Sequence, residues 1–319
     1  MNNIVKVIFP TQVYYINSAE IPSMNRMLKK VNMLEPILIC GPTASGKSKL
    51  AMNLANEFGA IIINADALQI YDGWRILTAR PNLSDEKEVK HFLYGTQPMN
   101  KPYSVGNWLK DLEKILINYK DTPKIIVGGT GLYFTSLIQG LADIPSTAPK
   151  IRNDVDNWHK SVGDETLSSW LKVHDPKTFS LIDSNNSARI KRAIETLIQT
   201  GKGLSDWQKI DAKVLLNFSK ENSFVLNIEA DILNKRISDR FKNMMKYGAI
   251  DEVKEKVKFW NKNYPAFKAI GAQEIHSYLK EELTLEEATE KAIIRTRQYA
   301  KRQRTWFRSK MKNWTQINV

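Results

Sequence analysis

The run Gly41-Pro42-Thr43-Ala44-Ser45-Gly46-Lys47-Ser48 follows a short apolar stretch, Ile37-Leu38-Ile39-Cys40, and opens an amphipathic one over residues 49–58. Strand, glycine loop and helix in that order are the context a phosphate-binding loop needs. Backbone N–H groups of the loop and of the helix start converge on an anion, and glycines let the chain close in. Lys47 supplies a point charge to a terminal phosphate, and Ser48 a hydroxyl ligand for Mg2+. The bland alternative is a structural glycine turn. The pattern specifies a phosphate chain without saying which ester carries it.

A nucleotide hydrolase or kinase usually ends a second buried strand in an aspartate that positions Mg2+. Here the candidate strand, Lys124-Ile125-Ile126-Val127, ends instead in Gly128-Gly129-Thr130-Gly131. The carboxylate arrives elsewhere, as Asp66 after Ile61-Ile62-Ile63-Asn64-Ala65. Loops that follow parallel strands meet at one edge of the sheet, so Asp66 and Thr130 should face the phosphate loop. Two readings stay open for Asp66: a general base, or a bland role in which it caps the following helix or holds Mg2+ through water. Thr130 reads either as a substrate contact or as a cap for the helix that follows.

These residues sit in an ordered series of blocks. They are GPTASGKS at 41–48, NADALQIY at 64–71, TARP at 78–81, GGTGLYF at 128–134, GLADIPS at 140–146, ARIKRAIE at 188–195, NKRISDRF at 234–241 and TRQYAKRQRTWFR at 296–308. In order and spacing they resemble tRNA dimethylallyltransferases, the isopentenyl-tRNA transferase family, over residues 34–314. The resemblance implies transfer of a dimethylallyl group from dimethylallyl diphosphate to N6 of the adenosine beside the anticodon (position 37) of tRNAs that read codons beginning with U. It implies that residues 41–48 hold the diphosphate with Mg2+ at Ser48, that Asp66 is the general base, and that Arg240 contacts the diphosphate. It places tRNA contacts at Asp66, Ala67, Leu68, Gln69, Thr130 and Arg152, at 188–192 with Arg189 and Arg192, and at 268–273. The chain departs from the family pattern in three places. Gly271-Ala272-Gln273-Glu274 lacks a usual aromatic and a usual cation, Ala67 stands where serine is common, and Asn186 replaces a frequent aspartate. No zinc-finger tail follows Trp314, which fits the bacterial form of the family.

The reaction makes demands that can be checked residue by residue. Breaking an allylic C–O bond pushes negative charge onto the departing diphosphate, where preorganised donors such as Lys47, the loop amides and Arg240 stabilise it. A neutral adenine amine must lose a proton as its bond to carbon forms, which is work for Asp66. The target base must also leave its stack. Two other enzymes would share the loop: an adenylate isopentenyltransferase acting on a free nucleotide, and a small-molecule P-loop kinase using ATP. Against both stands the block at 291–312, with nine basic residues and no acidic one, interleaved with Tyr299, Trp306 and Phe307. Basic side chains neutralise phosphates and aromatic faces stack on unpaired bases. The competing reading buries Trp306 and Phe307 in the core and leaves the charges solvated.

A chain of 319 residues with a net charge of +13 has ample core and suits a polyanionic partner. A lone cysteine, Cys40, offers neither a disulfide nor a cysteine zinc site. No apolar run approaches membrane-spanning length. A cytoplasmic monomer with no membrane partner is expected.

The elements that must position these groups alternate as in an α/β domain. Strands are expected near 36–40, 60–64, 124–127 and 223–228, and helices over 48–58, 105–118 and 131–139. The expected fold class is α/β, a P-loop-type parallel sheet flanked by helices. A catalytic part, 34–139 and 184–319, would carry an inserted helical domain at 140–183, tRNA-binding by the resemblance. Residues 1–33 stand apart as a poorly ordered extension or a misplaced start, with an organelle transit peptide a lesser option because Arg26 is the lone arginine.

Overall fold

The computed structural model describes residues 4–9, 12–17, 31–32, 34–208, 212–261 and 263–319. Its core is a six-stranded parallel sheet, in the order β5-β4-β6-β3-β7-β8. The strands are β3 (Ile37–Cys40), β4 (Ile61–Asn64), β5 (His91–Phe92), β6 (Lys124–Gly128), β7 (Ser223–Asn227) and β8 (Thr315–Asn318). β3, β4 and β6 are buried at every position, as isoleucine-rich strands covered on both faces must be. The register pairs Cys40 with Gly128 and Asn64 with Val127, so the three strands end nearly level. β6 lies between β4 and β3. The loop after it therefore emerges between Asp66 and the phosphate loop.

The four main strands and the three helices expected from sequence are present within a residue or so: α1 (Lys47–Phe58), α2 (Val105–Asn118) and α3 (Gly131–Gln139). α1 turns Leu50, Ala51, Leu54 and Ala55 onto Ile37, Ile62, Ile125 and Val127, and Gly59 ends it in the left-handed conformation at φ 62°. Two short edge strands, β5 and β8, went unread. A two-residue strand has no period, and β8 follows directly on a long helix.

Contacts divide the chain into two compact units, residues 1–135 with 217–319, and residues 136–216. The second unit contains α4 (Pro149–His174), broken at Gly163 (φ 79°), and α5 (Ser187–Thr200). Val155, Leu167 and Leu171 of α4 cluster with Ile190, Ala193 and Ile194 of α5. The insertion expected to stop at 183 thus extends to 216. An amphipathic helix shows which face it buries, not what it buries that face against.

In the first unit, α6 (Ala230–Lys246), α7 (Ala249–Lys254), α8 (Ala272–Leu279) and α9 (Leu285–Lys310) build a second core around Trp74, Phe241 and Phe267. The Trp74 indole N–H donates to the Ala266 carbonyl at 2.7 Å. At the N-terminus, β1 (Ile4–Phe9) and β2 (Gln12–Asn17) pair antiparallel, so these parts of the supposed extension have secondary structure. The rest of that expectation, except residues 31–32, lies outside the described residues.

Candidate active site

The phosphate loop leaves β3 and enters α1 through two left-handed residues, Ala44 (φ 63°) and Gly46 (φ 91°). Alternating backbone hand turns successive N–H groups to one side, which makes an anion nest. Lys47, the first residue of α1, bends back so that Nζ donates to the Pro42 carbonyl at 3.3 Å. Burial pulls Lys47 down to about 8; the Asp66 carboxylate opposes this and the Arg240 guanidinium adds to it. Arg240 reaches in from α6, and its Nη2 donates to Thr43 Oγ1 at 2.5 Å. Burial lowers this guanidinium as well, again with Asp66 opposing. Two largely desolvated cations facing one carboxylate leave positive charge unmatched, and a bound anion would complete it.

Asp66 is held in a tight local framework. The Asn64 side chain accepts from Asp66 N (2.8 Å) and donates to the carbonyls of Asp66 (2.9 Å) and Leu93 (2.8 Å). The Trp108 indole N–H donates to the Asn64 carbonyl at 2.7 Å, so α2 pins the same turn. Asp66 Oδ1 accepts from Leu68 N at 3.0 Å, and Oδ2 is the oxygen nearer Gly129. Residues 67–70 form turns and not a helix, so the bond opens a turn where a helix cap was expected. A base and a turn-forming acceptor are compatible roles for the two oxygens of one carboxylate. Thr130 Oγ1 accepts from Ala67 N at 2.9 Å, and Thr130 N donates to the Ala65 carbonyl at 3.2 Å. A Cβ on Gly128 would lie 2.1 Å from that carbonyl. Only glycine permits this approach.

One cavity gathers these groups. Its wall includes Thr43, Asp66 and Arg240 beside Leu68, Leu77 and Phe241, and Thr296 and Tyr299 of α9 face it. Tyr299 lies beside Thr130 and Gln303, and burial pushes its phenol well above the usual range. Gln303 Oε1 accepts from Thr43 N at 2.9 Å and its Nε2 donates to the Gly129 carbonyl at 2.8 Å. The Thr43 amide is thus committed to Gln303 and is not among those left for an anion. Leu77 and Thr78 are steadied by Glu252 of α7, whose carboxylate accepts from the amides of Arg75, Ile76 and Leu77 at 2.6–3.0 Å.

Other expected contacts have different surroundings. Ser48 is exposed and lines a neighbouring cleft with Met52, Arg80 and Asp85. Among the described residues no group of three or more His, Cys, Asp or Glu could hold a metal. Mg2+ takes one or two protein oxygens and completes its shell with phosphates and water, a pattern that a single exposed hydroxyl fits. Gln69 is occupied: its Nε2 donates to the carbonyls of Thr78 (2.7 Å) and Ala79 (3.1 Å), so it is not a free base-edge donor. Ala67 and Leu68 are partly buried beside Asp66. At the departure from family pattern, Ala272 is buried and Gln273 accepts from Arg295, which also pairs with Glu274.

α9 settles the C-terminal block. It buries Ala292, Thr296, Ala300, Gln303 and Phe307, while Lys291, Arg297, Lys301, Arg302 and Arg308 are exposed. Trp306 is partly buried against Gly131. The aromatics pack and the charges remain on the surface. In the second unit, Asn186 caps α5 by accepting from Arg189 N, the task a frequent aspartate would perform. Arg189 is exposed, and Arg192 Nη1 donates to Thr147 Oγ1 at 2.5 Å. Arg152 and Arg192 each lie 4.0 Å from the Glu195 carboxylate.

Sequence reasoning passed over Gln303, Asn64 and Trp108, and read Tyr299 only as a base-stacking aromatic of the basic block. The 296–299–303 spacing already placed one face of α9 together, but its partners lie 174 and 260 residues away.

A phosphate loop, a carboxylate at a neighbouring strand end and a cavity with an apolar wall define a group transferase of the P-loop type. The model of the IPP transferase family matches residues 69–310. A tRNA dimethylallyltransferase of Cereibacter sphaeroides is 46% identical over 89% of this chain and 96% of that protein. Among solved structures, the full-length tRNA isopentenylpyrophosphate transferase of Bacillus halodurans superposes with a TM-score of 0.62 at 30% identity, covering 89% of each chain. A eukaryotic dimethylallyltransferase acting on tRNA shares the fold, with a TM-score of 0.74 at 24% identity over 89% of this chain and 74% of that one. The chain belongs to the IPP transferase family.

Proposed function

We propose that the protein transfers the dimethylallyl group of dimethylallyl diphosphate to N6 of the adenosine at position 37, beside the anticodon, in tRNAs that read codons beginning with U. One observation carries the reading: Arg240 and Asp66, both within electrostatic reach of Lys47, line a cavity whose remaining wall includes Leu68, Leu77, Ile237, Phe241 and Met244. Cations suit a diphosphate, and the apolar wall suits a short hydrocarbon rather than the ribose of ATP. Relatives that share most of the chain's length are named for this transfer, which favours it over a kinase or an adenylate transferase.

In the reaction, N6 attacks the allylic carbon as its C–O bond breaks, and the bonding pair leaves with the diphosphate. Lys47, the free loop amides and Arg240 hold the charge that develops there. The N6 proton passes to Asp66, and Thr130 fixes the turn that presents this carboxylate. Mg2+, held by Ser48 and the phosphates, would draw further charge from the leaving group. Exposed arginines on α9 and on α4 and α5 engage RNA phosphates. Among the described residues no helix is long and apolar enough to cross a membrane. The reading has a cytoplasmic monomer acting on the anticodon stem-loop.

The test offers the protein labelled dimethylallyl diphosphate with tRNA or with AMP, and ATP in a separate reaction. Label in tRNA alone is expected. Label in AMP but not tRNA, or ADP formed without transfer, overturns the assignment.

A further inference from the structure

Gln303 sits in the C-terminal third of α9 and is 6% exposed. A backbone N–H can only donate and a carbonyl can only accept, so its two partners, Thr43 N and Gly129 O, fix which end of the amide is oxygen. A Cβ at Gly129 would fall 2.3 Å from Gln303 Nε2 and 3.3 Å from Asp66 Oδ2, so the bare glycine lets the amide reach the edge of the base. One turn earlier, Tyr299 lies beside both Gln303 and Thr130. A single neutral side chain thus spans the loop that would hold the diphosphate and the loop lying against the general base.

We propose that Gln303 is a positioning residue for prenyl transfer, setting the separation between the phosphate loop and the loop beside Asp66. The inference rests on the transferase reading. Each substrate can bind to its own loop or surface, but in-line transfer needs both loops in register, and a misplacement near 1 Å costs about 100-fold in rate. Glutamine meets the need because one terminus presents an acceptor and a donor without charge. Methionine fills the same volume with neither bond. Glutamate keeps the acceptor for Thr43 N–H and loses the donor to Gly129.

The experiment measures single-turnover transfer at saturating substrates, binding of dimethylallyl diphosphate alone, binding of tRNA alone, and thermal melting, for wild type, Gln303→Met and Gln303→Glu. For Gln303→Met the expected result is a transfer rate about 100-fold lower, with both dissociation constants within about threefold of wild type. Gln303→Glu should show the same split. A rate near wild type overturns the proposal, as does a rate loss matched by an equal loss of diphosphate affinity, which would mean that the residue only shapes the cradle. If neither variant melts cooperatively, Gln303 is a packing residue and the proposal is wrong. A wild-type protein that transfers nothing instead sinks the transferase reading, so the two failures are told apart.

Discussion

The loops at the carboxyl edge of the sheet and the helical unit at 136–216 both carry residues read as substrate contacts, and they are built differently. At the sheet edge each group is fixed by several short bonds: Asn64 alone makes three, and Thr43 is held by both Arg240 and Gln303. In the helical unit the arginines are wholly or partly exposed, and Glu195 is 4.0 Å from both Arg152 and Arg192. Chemistry needs groups placed to a fraction of an ångström, whereas phosphate attraction acts over a Debye length and tolerates movement. The first region should set rate, the second affinity.

The contrast can be attacked at its strongest point first. Arg240→Ala removes a guanidinium from the leaving-group side of the cavity, and turnover should fall by about 100- to 1000-fold in a single-turnover assay. Turnover near wild type would leave the arginine a structural prop for Thr43. Asn64→Ala deletes three bonds in a fully buried setting, and denaturant unfolding should show a loss of about 3 kcal/mol together with reduced transfer. An unchanged midpoint would mean the Asp66 turn needs no such framework.

A third prediction concerns pH. Lys47 titrates near 8 in the free protein, and a bound diphosphate must raise that value because it favours the charged form. Diphosphate affinity should therefore be level below this pH and weaken above it, by up to about tenfold per unit, until the raised value is passed. Calorimetry at several pH values checks this, and Lys47→Arg should abolish the dependence. The smallest effect belongs to the helical unit. Arg152→Ala, Arg189→Ala and Arg192→Ala should each weaken tRNA binding a few-fold and flatten the log–log salt slope by about 0.7–0.9, with turnover at saturating tRNA unchanged. A fall in saturating turnover would erase the distinction between the two regions.

The same division explains what the sequence disclosed. The phosphate loop, the isoleucine strands and α1 to α3 were legible because loop chemistry and apolar period are local signals. Asp66 and Thr130 followed from one rule about the edge of a parallel sheet. Gln303 was not legible, since nothing near it in the chain announces a bond to Thr43. Gln69 looked available because its occupation by the carbonyls of Thr78 and Ala79 depends on how the following turn folds back. The end of the helical unit was misplaced because Ile190, Ala193 and Ile194 show a buried face without naming Val155, Leu167 and Leu171 as its partners.

The most direct measurement is single-turnover transfer by Asp66→Asn, run beside binding of each substrate alone. Asparagine keeps the shape and the turn bond from Leu68 N while removing the proton acceptor. Transfer should fall by about 1000-fold with both affinities within a few-fold of wild type. A variant that prenylates RNA at the normal rate contradicts the assignment of Asp66 as the base.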